Sequence, residues 1–191
     1  MRIIAMAAGA ALFAGQALAD EKIDNLKQDL MKEASSAVSD VEGGEYVGAA
    51  SHFEAAARKA NELKAYKIAL GVKPTKPKWE PGEVKILRAG PGAADAVAQK
   101  TFTNDGNVIV LTIAADPATL GDFMHLMHDS RLMAAAGATA VDMDGETALV
   151  QTMADGDVVV SMMSADHDAV MKLKGPSKEA VMDLLDSVEM E

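Results

Sequence analysis

The chain has 191 residues, no cysteine, and 29 acidic against 18 basic side chains, for a net charge of −11. Without cysteine, disulfides, thiolate metal sites, a cysteine nucleophile and a lipidated N-terminal cysteine are all excluded. Residues 20–90 balance 12 acidic with 12 basic side chains, whereas residues 91–191 carry 17 acidic and five basic ones; such a surface repels phosphate backbones and anionic lipid, which speaks against a nucleic-acid partner.

Met1-Arg2, an apolar run from Ile3 to Phe13 broken only by Gly9, and Ala17-Leu18-Ala19 before Asp20 follow the order of a secretory signal. The run is too short to span about 30 Å of hydrocarbon, and charged, helix-forming sequence follows at once. The expectation is residues 1–19 as a signal peptide cleaved after Ala19, no membrane insertion of the remainder, and a periplasmic or secreted destination. A chain of this size held without disulfides points to a bacterial periplasm.

Residues 20–71 read as an antiparallel helical hairpin. Ile23, Leu26, Leu30, Ala34, Ala37 and Val41 recur in steps of three and four, the period of one helical face. Gly43-Gly44 ends this helix. A second begins near Glu45, its expected apolar face formed by Tyr46, Ala50, Phe53, Ala57, Ala60, Leu63 and Leu70, and it stops at Gly71 before Pro74 and Pro77. Gly44-Glu45-Tyr46 followed by Ala49, Phe53 and Ala56 resembles the G-x-Y-x-x-A-x-x-x-F-x-x-A signature at the inter-helix turn of a tetratricopeptide repeat. The resemblance implies aromatics wedged between helices that approach closely over alanine. No second copy follows at the period of about 34 residues, so the expectation is one repeat-like hairpin and not a solenoid. Tyr46 and Phe53 are the candidate partner-binding residues, with ordinary helix-pair packing as the other reading.

Residues 72–96 read as a semi-rigid linker, because Gly71–Gly82 holds three prolines and three lysines around the only tryptophan and shows no period. Trp79 either anchors a partner or folds back on the adjoining domain.

From residue 97 the pattern changes to short β-branched runs separated by Asn-Asp-Gly, Asp-Gly and related turns. Strands are expected near 98–103, 108–114, 138–143, 147–153, 158–164 and 169–174, with a helix over 117–136 opened by Asp116-Pro117 and a last helix over 176–190. The expected fold class is therefore α+β: the N-terminal hairpin, then a mostly antiparallel sheet of about six strands with two packed helices.

Taken together, Gly44-Glu45-Tyr46, Trp79, Asp116-Pro117 and the segment from Gly137 through Asp144-Gly145 to Gly175 resemble exported proteobacterial proteins with a helical hairpin and a small α+β domain. That resemblance implies the architecture and brings no assigned function with it.

One cluster carries metal chemistry. Met124, His125, Met127 and His128 fall within five residues, with Met133 further along the same expected helix; imidazole with thioether is a ligand set suited to copper, Cu(I) above all, while the same methionines also suit the apolar stripe of a helix on a sheet. Asp142-Met143-Asp144-Gly145 matches part of a calcium loop but has Ala140 and Gln151 where its first and last ligands belong. Asp166-His167-Asp168 reads as a strand-capping turn. Nucleotide loops, a nucleophile elbow and an H-E-x-x-H helix are absent from the sequence. The leading expectation is a periplasmic, non-enzymatic protein-interaction or binding module of unknown ligand that needs no cofactor. The alternative is a periplasmic copper-handling protein using Met124, His125, Met127 and His128.

Overall fold

A computed structural model describes residues 5–88, 96–143, 145–164, 166 and 168–190, with the side chains of residues 5–16 and 190 left aside. Met1–Ile4 of the expected signal, Asp144 of the calcium-like turn and His167 of the acidic triplet lie outside the described residues. The chain divides into two compact units, one ending at Leu63 and one beginning at Lys64.

The first unit is a helical hairpin. Helix α1 (Ala5–Gly43) and helix α2 (Tyr46–Gly71) are joined at Gly44, whose φ of +79° reverses the chain. Glycine takes this left-handed conformation without a Cβ clash, and the Gly44 and Glu45 amides donate to the carbonyls of Val41 and Asp40. Leu26 and Ala37 of α1 and Ala49 and Ala56 of α2 are buried between the helices. Mostly methyl-sized side chains thus line the seam. A Cβ at Gly48 would meet the Asp40 carboxylate of α1.

The second unit is an antiparallel sheet with helices on both faces. The last two turns of α2 enter it, followed by β1 (Val72–Pro74), β2 (Glu80–Pro81), β3 (Lys85–Arg88), β4 (Ala96–Asn104) and β5 (Asn107–Ala114). Helices α3 (Pro117–His128) and α4 (Ser130–Ala135) come next, then β6 (Ala138–Met143), β7 (Glu146–Thr152), β8 (Val158–Ser164), β9 (Ala169–Gly175), α5 (Lys178–Leu185) and β10 (Val188–Met190). The spatial order is β2-β4-β5-β9-β8-β7-β6, with β3 also paired to β4, and β1 pairs separately with β10. Asp105 and Gly106, both at positive φ, turn β4 into β5 in two residues, the geometry that matches strand twist.

Phe102, Ile109, Leu111, Ile113, Val160 and Leu173 form the main core, covered by Val181 and Leu184 of α5 and by Ala65, Ile68 and Ala69 of α2. On the other face Phe123 of α3 packs with Leu149 and Val170. Among the described residues no helix is long and apolar enough to cross a membrane.

Three expectations change at this level. The sheet has eight strands, with a further two-stranded ladder, because residues 72–96 contribute β1, β2 and β3. These strands have two to four residues, too few to show an alternating pattern, and Pro81 sits on an edge where no ladder N–H is needed. The helix expected over 117–136 breaks at Asp129, which ends α3 and caps α4 by accepting from the amides of Arg131 and Leu132. The last helix, expected to run to residue 190, ends at Leu185, and Val188 pairs as a strand with Pro74.

Candidate functional site

Within the hairpin unit, two layers of contact run alongside the seam. On one side lie polar pairs between the helices: His52 Nδ1 is 2.7 Å from Glu33 Oε2, and Lys59 Nζ is 3.4 Å from Asp29 Oδ2. On the other side both helices carry a second apolar stripe. In α1 it is Met31, Ala34, Val38 and Val41; in α2 it is Tyr46, Ala50, Phe53, Ala57 and Ala60, spaced four, three, four, three. At 100° per residue, each stripe lies roughly a right angle from its helix's seam, turned away from these polar pairs. The helices run antiparallel, so the two stripes share one face of the hairpin.

That face is uncovered. Met31 is 64% exposed, Val38 52%, Tyr46 71% and Phe53 50%, and Ala50, Ala57 and Ala60 are exposed between them. Tyr46 and Phe53, expected to wedge between the helices, point to solvent instead. The seam side of α2 carries Ala49 and Ala56, whose small side chains let the cross-helix pairs form. The spacing of 46, 50, 53, 57 and 60 repeats every 3.5 residues, a signal for a helix seeking a further helix.

Trp79 is buried to 2% exposure in the main core, and its indole N–H donates to Asp183 Oδ2 at 3.0 Å. Lys78 bonds the other oxygen of the same carboxylate, and these two donors hold the Asp183 carboxyl below the usual carboxylate range. The amide and hydroxyl of Thr75 both donate to the Ser187 carbonyl. Trp79 therefore fastens the 72–81 segment to its own unit and is not available to a partner.

Helix α3 separates the four candidate metal ligands. Met127 is half-buried against the Phe123, Leu149 and Val170 cluster, whereas Met124, His125 and His128 are exposed. These three follow Gly121 around the solvent side of the helix, where a Cβ on Gly121 would meet nothing. Met133 belongs to α4 and to the small core. Among the described residues no group of three His, Asp or Glu side chains converges to hold a metal ion.

Two further polar features are structural in character. Lys174 stands beside a shallow depression of about 450 Å³, but Asp155 and Asp157, at 3.1 and 3.0 Å, already neutralise it. Lys100 is buried on β4, donates to the Val72 carbonyl at 2.6 Å and lies 5.5 Å from the Phe102 ring centre. Burial, and then the charge of Lys73, push its amine down to about 8. Compared with known proteins, the chain matches no family model and no curated sequence.

Proposed function

We infer that this is an exported, non-enzymatic association module that engages a protein through its N-terminal hairpin. The reading is carried by one observation: the hairpin leaves an apolar face two helices wide uncovered. Scattered surface hydrophobics need no explanation, but a contiguous stripe does. Export rests on the signal-like order of residues 1–19, and Asp20 at the N-terminus of the isolated protein is the expected result of N-terminal sequencing. A photo-crosslinking residue at Ala57 is expected to give discrete protein adducts in cells. The same probe at Ser51, which projects from the polar side of α2, is expected to give none. Equal adducts at both positions, or none at either, would discard the hairpin as the binding element.

A second reading has its own support. Met124, His125 and His128 share the exposed side of α3, a thioether and two imidazoles within one helical turn, which suits Cu(I). Competition with a chromogenic chelator is expected to register Cu(I) binding that His125→Ala with His128→Ala abolishes. Met127→Leu, altering only the half-buried thioether, leaves it unchanged. Binding no tighter than about micromolar (roughly −8 kcal/mol) in the unsubstituted protein ends this reading.

A further inference from the structure

We propose that the occupant of the uncovered hairpin face is the same face of a second copy of this chain, the two hairpins closing into a four-helix bundle. The proposal rests on the association reading above and names its partner. Register carries the argument. The Asp29–Lys59 and Glu33–His52 pairs fix which residues of the two helices stand level. They set Met31 level with Ala57, Ala34 with Phe53 and Val38 with Ala50, three layers that each hold one large and one small side chain, and Val41 level with Tyr46 beside the turn, where both are large.

A surface built this way complements itself. A two-fold axis running along the helices lays α1 of one copy over α2 of the other, as a closed isologous contact requires. Phe53 then rests on Ala34 of the second copy, Met31 on its Ala57 and Val38 on its Ala50, knobs meeting holes at three levels, while Val41 faces Tyr46 of the second copy beside the turn. A partner of unrelated shape would have no reason to match this alternation. Size agrees as well. The exposed side chains of the face present on the order of 600 Å² per copy, near the roughly 800 Å² per partner of a standard specific interface. The resulting arrangement is that of a short four-helix bundle, whose inner positions are the apolar stripes and whose outer faces carry the polar pairs.

Sedimentation velocity of the purified protein between about 1 and 100 µM is expected to show a concentration-dependent monomer–dimer equilibrium. Phe53→Glu and Ala57→Glu each place a charge on the face without touching the seam, and each is expected to weaken dimerisation on the order of 100-fold. Circular dichroism is expected to show helix content unchanged in both. Because the chain has no cysteine, mixing a tagged Met31→Cys protein with an untagged Ala57→Cys protein reports the packing directly, and mixed disulfide dimers are expected to exceed either homodimer. A protein that stays monomeric at the highest concentration, or a dimer indifferent to both glutamates, overturns the proposal. In the monomeric case, crosslinks from Ala57 to another protein would leave the association reading standing and remove only the second copy. The absence of any such crosslink would remove both.

Discussion

The hairpin unit and the sheet unit bury apolar surface in opposite ways. The hairpin closes on Ala37, Ala49 and Ala56 with one leucine, Leu26, and turns Met31, Tyr46 and Phe53 outward. The sheet unit places Phe102, Ile109, Leu111, Ile113 and Leu173 inside, along with the only tryptophan. A two-helix unit has one seam, and a seam of alanines removes little apolar area from water. A twisted sheet with helices on both faces has two interiors to fill with large side chains. The sheet unit thus fills its interiors with its own large side chains, whereas the hairpin leaves Met31, Tyr46 and Phe53 exposed.

The largest test of that contrast is Trp79→Ala. Loss of a fully buried indole, together with its bond to Asp183, is expected to destabilise the sheet unit by about 3–5 kcal/mol. Urea unfolding followed by circular dichroism measures it. A change below about 1 kcal/mol, the size of an ordinary surface substitution, would show that the 72–81 segment is not fastened to the core.

Two glycines sharpen the comparison. At Gly175 a Cβ would stand 2.9 Å from Val181 Cγ2 and 3.0 Å from Ile109 Cγ1, both in the packed core. Gly175→Ala is expected to cost about 1–3 kcal/mol, the usual penalty for overfilling a core. At Gly48 the obstacle is the flexible carboxylate of Asp40, which can swing aside. Gly48→Ala is expected to be neutral or to gain up to about 0.8 kcal/mol from helix propensity. Thermal unfolding, read by Trp79 fluorescence for the sheet and by helical dichroism for the hairpin, separates the two. Equal costs would mean the hairpin seam is packed as rigidly as the sheet.

The smallest expected effect is a pH dependence confined to the sheet unit. The Lys100 amine, ordinarily near 10.5, is pushed down to about 8 in the folded chain. Below pH 8 both folded and unfolded chains hold the proton, and the folded chain bears the full cost of a buried cation. Above pH 8 the folded chain releases it first, so the unfolded state binds more protons and stability rises with pH. The rise continues until Tyr66, whose phenol burial pushes above its ordinary 10.0, begins to act in the opposite direction. The urea midpoint is expected to climb from pH 8 towards 10 in the parent protein and to stay flat there in Lys100→Met.

Much of the sheet was legible in the chain. The Asp105-Gly106 turn, the longer β7–β8 connection with Gly156 at positive φ, and the β-branched runs place β4, β5, β8 and β9 within a residue or two, since tight turns demand positive φ and adjacent strands demand alternation. Strands β1, β2 and β3 were not legible, because two to four residues among prolines carry no period and form only where a neighbour offers a free edge. Asp129 is of a residue type that caps helices, but the apolar stripe runs on across it and hides the break. The Met124, His125 and His128 side of α3 could not be told from the Met127 side by composition, because thioethers serve cores and metals alike.

Local pattern in the chain is enough to give a helical hairpin turning at Gly43-Gly44, the α+β class and an apolar face on α2 that includes residues 46, 50, 53, 57 and 60. These follow from backbone conformational preference and from the period of side chains along one element, both local properties. Tertiary packing settles which side of α2 closes the hairpin and which remains open, that Trp79 is a core residue, and that Val188–Met190 pairs with Val72–Pro74. Those choices depend on how closely two backbones can approach and on which edge is vacant. Neither is a property of any segment taken alone.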